Sequence, residues 1–237
     1  MIADERIIVA LDFPTAKEAQ AVVEELGDSV SYYKVGMELY YAAGAEILSF
    51  LKAKGKHVFL DLKLQDIPNT VAKSLAVLTE LGADIMNVHA VGGPEMMREA
   101  VKSVAQRAKE LGRVRPKLIA VTVLTSMDEE QWQELHYAKP IDEQVVLLAQ
   151  LAKKCGMDGV VASPREAAAI RCACGADFLI VTPGVRPQGS AANDQSRIAT
   201  PKGALDNGAS HLVIGRPITK AENKVAAVEN ILKEIRS

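Results

Sequence analysis

Aromatic side chains are scarce, at 4% of 237 residues with a single tryptophan, so an apolar core has to be built mainly from Val, Ile, Leu and Ala. Cysteine is scarcer still. Cys155, Cys172 and Cys174 are the three present, and Cys172-Ala-Cys174 has neither zinc-knuckle nor thioredoxin spacing. All three read as small buried hydrophobes in a reducing compartment. The four histidines, His57, His89, His136 and His211, are scattered without metal-ligand spacing. Neither sign of charge dominates: 28 basic residues face 30 acidic ones, for a formal net charge of -2. That balance argues against a nucleic-acid partner, which calls for a clustered basic face. No apolar run approaches the roughly 20 residues needed to cross a bilayer. The opening MIADERIIVALDF sets acidic residues before a short apolar run, which excludes a secretory signal. A soluble, cytoplasmic protein is expected.

What the chain has is alternation. Short, near-continuous apolar runs recur as IIVALDF, SYYKVGM, HVFLDLKL, IMNVHA, KLIAVTVLT, GVVAS, FLIVTPG and HLVIGRP. Such runs suit parallel strands buried on both faces. Helical patterns lie between them, among them TAKEAQAVVEEL, AEILSFLKAK, TVAKSLAVLTEL and PEMMREAVKSVAQRAKEL. The first helix is expected to open at Pro14 or Thr15. The last is expected to open at Thr219, where Thr219-Lys-Ala-Glu222 has the form of a capping box. Eight βα units without a linker, and without a Gly-x-Gly-x-x-Gly turn after the first strand, predict an α/β fold of the (β/α)8 TIM-barrel type. Barrels of that type run to about 250 residues, so a single domain over 1–237 is expected.

A barrel collects its chemistry at the C-terminal ends of its strands. Polar residues fall there: Asp12 at the end of the first run, Lys34 in the second, Asp61 and Lys63 in the third with Asp66 just beyond. Asn87 and His89 follow in the fourth, Thr122, Thr125 and Ser126 in the fifth, and Arg216 after the eighth. Charges within apolar strands are costly unless paired or functional. Asp61 and Lys63, two apart, are expected on one side of their strand.

At these residues the sequence resembles the orotidine 5'-monophosphate decarboxylases. The match runs through Ala10-Leu-Asp12, Lys34-Val-Gly36, Asp61-Leu-Lys63-Leu-Gln-Asp66-Ile67-Pro68 and Val121-Thr-Val-Leu-Thr125-Ser126. It continues in Thr182-Pro-Gly184-Val-Arg186 and Gly215-Arg216-Pro217, and so covers essentially the whole chain. The resemblance implies decarboxylation of orotidylate to uridylate, the last step of pyrimidine nucleotide synthesis, with no cofactor and no metal. Lys63 would stabilise and protonate a C6 carbanion. Asp61 and Asp66 would flank it, and Lys34 would complete an alternating Lys-Asp-Lys-Asp array. Crowding of the substrate carboxylate by Asp61 is a secondary expectation. Asp12 and Lys34 would hold the ribose, Thr125 and Ser126 the pyrimidine, and Arg186, Gln195, Gly215 and Arg216 the phosphate end. The small, polar stretch from Pro187 to about Ser196 would close over the phosphate. A homodimer would share its sites, with Asp66, Ile67 and Thr70 reaching the neighbouring one.

Three other readings share parts of this residue pattern. A 3-keto-gulonate 6-phosphate decarboxylase or hexulose phosphate synthase shares the Asp-x-Lys-x-x-Asp element but uses Mg2+, with a glutamate where Lys34 stands. A non-catalytic nucleotide-binding barrel would keep Arg216 while losing Lys63 or its aspartates. A metal-activated hydrolase would not interleave its carboxylates with lysines.

Overall fold

All eight apolar runs form strands: β1 Ile7–Ala10, β2 Tyr32–Gly36, β3 His57–Leu64, β4 Ile85–His89, β5 Lys117–Val121, β6 Gly159–Val161, β7 Leu179–Thr182 and β8 His211–Ile214. The computed structural model describes residues 3–187 and 199–237. Each strand runs parallel to its neighbours, and β8 pairs back onto β1 to close the barrel. Parallel neighbours need crossover connections. Amphipathic helices supply them, including Ala16–Leu26, Glu46–Ala53, Pro68–Glu80, Gly93–Glu110, Ile141–Lys154 and Lys224–Arg236. The helix Ala16–Leu26 shows the logic: it buries Ala19, Val22, Val23 and Leu26, the stripe that 3.6-residue periodicity turns toward the sheet. The architecture is the expected (β/α)8 barrel.

Strand side chains alternate between two cores. Ile7, Val9, Tyr33, Val35, Val58 and Leu60 point outward beneath the helices. Ile8, Ala10, Tyr32, Phe59, Ile85, Ile119, Val121, Val161, Val181 and Val213 fill the barrel interior. The parity of that inner set has a consequence for the mouth. One step beyond Tyr32, Phe59 and Ile85 along the inward-facing series stand Lys34, Asp61 and Asn87. On β5, β6 and β8 the uppermost inward residues are Val121, Val161 and Val213.

Several boundaries differ from the sequence reading. Most strands stop before their apolar runs do, so Asp12, Thr122, Thr125 and Ser126 lie beyond strand ends. Met37, read as strand, begins a short helix, Met37–Ala43. The first helix starts at Ala16, with Thr15 as its cap: the Thr15 hydroxyl accepts from Glu18 N–H at 3.3 Å, leaving Pro14 outside. The capping box at Thr219 is not formed. Thr219 closes the short helix Arg216–Thr219, and Asn223 caps the last helix by accepting from Ala226 N–H at 2.9 Å. Asparagine is at least as good a cap as threonine. Of the cysteines, Cys155 and Cys174 are buried as expected, whereas Cys172 is exposed. Among the described residues, no helix is long and apolar enough to cross a membrane.

Candidate active site

Four charged side chains, three from β2 and β3 and one just after β1, form one continuous row across the barrel mouth. The Lys34 ammonium donates to Asp12 at 2.8 Å and lies 3.5 Å from Asp61. The other oxygen of Asp61 accepts from Lys63 Nζ at 2.8 Å. The order is therefore Asp12, Lys34, Asp61, Lys63, with opposite charges adjacent throughout. Gly36 makes room for it. It sits beside Asp61 in the β2–β3 register, and a Cβ there would come within 2.8 Å of Lys34 Nζ.

Lys34 and Asp61 are both buried. Burial alone would lower the Lys34 pKa, but the carboxylates of Asp61 and Asp12 outweigh it and hold the amine above its ordinary value. For Asp61, burial alone would raise the pKa. Lys34 and then Lys63, helped by hydrogen bonds from Lys63 and Asn87, hold the carboxyl below its usual range. Both groups are thus charged at neutral pH, and each is the condition for the other. His89 is pushed down by burial and then by the Lys63 charge, which keeps its ring neutral.

Asp61 and Lys63 do share one side of β3, though not through regular strand geometry. Lys63 has a φ of 51°, in the left-handed region, and the β3–β4 register shifts between Leu60 and Leu64. A bulge, rather than the two-residue period, swings the amine back onto Asp61.

Two adjoining cavities open over this row. The smaller, about 190 Å³, has Lys34, Asp61 and Lys63 on one side and Val121, Val123, Val161, Pro183 and Val213 on the other. The larger, about 460 Å³, is bordered by Asp12, Lys34, Glu38, Arg186, Gly215, Arg216 and Lys220. The smaller cavity thus sets an ionic flank against a hydrocarbon one, whereas the larger is bordered mostly by charged side chains. A further cavity of about 730 Å³ lies at the opposite end of the barrel, where β3 and β5 begin. Its cations are engaged structurally: Lys52 with Asp84 at 2.9 Å and Arg115 with Asp158 at 2.5 Å.

The remaining expected residues divide. Thr125 borders the smaller cavity, and Arg186, Gly215 and Arg216 border the larger. Ser126 is exposed beside Thr125. Asp66 does not flank Lys63 within the chain. It is exposed, its carboxylate accepts from Ile67 N–H at 2.7 Å, and it has no ion pair among the described residues. Asp12 occupies an end of the row instead. Ile67 and Thr70 are likewise exposed. Gln195 and most of the Pro187–Ser196 stretch lie outside the described residues. Among the described residues, no group of three or more His, Cys, Asp or Glu is placed to hold a metal ion.

Glu38 and Lys220 went unremarked in the sequence, because a charge in a short helix or at its end looks like any solvated surface residue. Asn87 stands at the mouth, as its place in the fourth run implies, and there it has a definite partner. It is 1% exposed and donates to Asp61 at 2.7 Å. Its signal was a carboxamide inside the apolar run IMNVH.

Comparison with known proteins agrees with this fold. Residues 5–231 match the model of the orotidine 5'-phosphate decarboxylase / HUMPS family. An orotidine 5'-phosphate decarboxylase of Moorella thermoacetica is 50% identical over 99% of this chain and 94% of its own length. That of Syntrophomonas wolfei is 49% identical over 99% of both chains. The crystal structure of orotidine 5'-phosphate decarboxylase from Lactobacillus acidophilus superposes with a TM-score of 0.87 at 41% identity, covering 99% of this chain and all of that one. With a match over nearly its full length and an alternating ion row at the barrel mouth, the chain belongs to the orotidine 5'-phosphate decarboxylase / HUMPS family.

Proposed function

We propose that this chain, working as a single barrel domain over 1–237, converts orotidine 5'-monophosphate to uridine 5'-monophosphate and CO2 without a metal or organic cofactor. The observation that carries the reading is the ion row ending in Lys63 and facing an apolar wall. Heterolysis of the bond between C6 and the carboxylate carbon releases CO2 and leaves an electron pair in an in-plane sp2 orbital. The ring π system cannot accept that pair, so stabilisation must come from a preorganised charge in a site with little water. The Lys63 ammonium provides the charge, then passes a proton from Nζ to C6, and the amine regains a proton from solvent. Asp61 keeps the cation in place, and Lys34 and Asp12 extend the row so that neighbouring charges offset one another's desolvation.

The wider cavity suits the rest of the nucleotide. Asp12 and Lys34 are assigned to the ribose hydroxyls, Arg216 and Arg186 with the Gly215 backbone to the phosphate, and Thr125 and Ser126 to the pyrimidine. Binding energy from the phosphate then orients the reacting ring. Removing Arg216 as Arg216→Ala is expected to lower kcat/KM at least about 30-fold, the equivalent of ~2 kcal/mol for a charged contact. Orotidine lacking the phosphate should react equally poorly with both proteins, and equal activity of the two on the full nucleotide would remove Arg216 from the site.

A dimer sharing its sites is part of the same reading, with Asp66, Ile67 and Thr70 given to the neighbour. Met37, Ile67 and Val91 follow β2, β3 and β4 at the mouth, and all are exposed apolar side chains, Ile67 at 67%. A metal-dependent reaction on this frame is disfavoured by Lys34, whose ammonium lies between the two carboxylates that a divalent cation would need. The deciding measurement is loss of orotidylate absorbance with and without excess chelator. Equal rates are expected; no turnover, or a requirement for a divalent ion, would overturn the proposal.

A further inference from the structure

Strands β3 and β4 are in register at Leu60 with Met86 and again at Leu64 with Val88. Between those points β3 holds Asp61, Leu62 and Lys63 where β4 holds Asn87 alone. Backbone pairing cannot be kept across such a mismatch, and a bulge leaves ladder groups in want of partners. The Asn87 carboxamide stands in for them. Its Oδ1 accepts from the Lys63 backbone N–H at 2.8 Å, and its Nδ2 donates to Asp61 Oδ1 at 2.7 Å. That same carboxylate oxygen accepts from Lys63 Nζ at 2.8 Å. One amide therefore grips the reactive lysine at its backbone and, through Asp61, at its amine. Lys63 needs such a grip, since a left-handed conformation is unfavourable for any residue with a side chain.

We infer that Asn87 is a positioning residue for the decarboxylation, holding the Lys63 bulge and the Asp61 carboxylate in the one arrangement that aims the ammonium at C6. The inference rests on the proposed role of Lys63 as proton donor. A residue that merely completed the strand would affect folding and nucleotide binding together; a positioning residue should affect kcat alone.

Two variants test it. Asn87→Ala is expected to lower kcat by about 30- to 100-fold while KM and the Kd for uridylate stay within about threefold. Asn87→Asp keeps the shape and the oxygen that accepts from Lys63, but at neutral pH it sets a second carboxylate against Asp61. Its kcat should fall about 100-fold near pH 7.5 and recover at least about tenfold toward pH 5, as a proton shared between the two carboxyls restores the donated bond. The other titratable groups around this position are Lys34 on β2, Lys63 on β3 and His89 further along β4, while β5 opposes it with Ile119. All are common to the parent, whose own profile is the control. Either variant keeping kcat within twofold of the parent, or losing kcat and uridylate affinity in proportion, overturns the inference. A parent that fails to decarboxylate orotidylate overturns the functional reading instead. The positional claim is then decided by a crystal structure of Asn87→Ala: Lys63 leaving the left-handed region and its Nζ parting from Asp61 is expected, and unchanged geometry refutes it.

Discussion

Lys63→Ala is expected to lower orotidylate turnover by about 10⁴-fold or more while uridylate still binds. Two separable contributions are lost at once. Proton delivery by a positioned group contributes about 10² to 10⁴, and a single preorganised donor facing developing charge about 10² to 10³. No other described amine is placed to substitute: Lys34 is held between Asp12 and Asp61, and moving it toward C6 would break both pairs. Single-turnover kinetics give the chemical step directly, and exchange of the C6 hydrogen of uridylate in D2O should be lost with it. A variant that turned over normally would remove Lys63 from the chemistry.

The second large effect is on Asp61. Asp61→Ala leaves Lys63 without its 2.8 Å partner and Lys34 with Asp12 alone. Breaking a buried ion pair at one partner costs about 3–5 kcal/mol, and the lower end applies here because Lys34 keeps one carboxylate. Turnover should fall at least about 10³-fold, since the amine loses both its anchor and its orientation. The pH dependence of folding gives an independent check. Asp61 titrates below its usual range in the folded protein, so its contribution to stability is fully present above the ordinary carboxylate range, begins to fade as the pH falls through that range, and is lost as it falls through the depressed folded value. The parent should therefore show a steeper acid limb in its denaturation profile than Asp61→Ala, and matching limbs would mean that the row contributes nothing to folding. If Asp61→Ala slows C6 hydrogen exchange in uridylate as much as it slows decarboxylation, stabilisation of the transition state accounts for the effect and crowding of the substrate carboxylate is unnecessary.

The barrel was legible in the sequence because strands buried on both faces leave continuous apolar runs, and eight such runs alternated with amphipathic stretches. The residues at the mouth were legible for the converse reason: Lys34, Asp61 and Lys63 interrupt those runs at a cost that demands explanation. The manner of their meeting was not legible. The turn at Lys63 depends on three residues of β3 standing against one of β4, and a pairing mismatch leaves no trace in either strand read alone. The role of Asn87 was hidden with it. Asp12, rather than Asp66, completes the row within the chain because β1 and β2 are neighbours in register, which closure of the sheet decides. Helix ends failed for a local reason: Thr219 and Asn223 are both good caps four residues apart, and only the short turn Arg216–Thr219 settles which one is used.

The smaller cavity, charged along β2 and β3 and aliphatic along β5, β6 and β8, has two flanks that are separately adjustable. Trading Val121, Val161 or Val213 for another aliphatic side chain would reshape the hollow for a differently substituted ring and leave the electrostatics untouched. Any change at 12, 34, 61 or 63 would leave at least one neighbouring charge in the row without a partner. Over evolutionary time such a molecule is free to drift in what it fits long before it can drift in what it does.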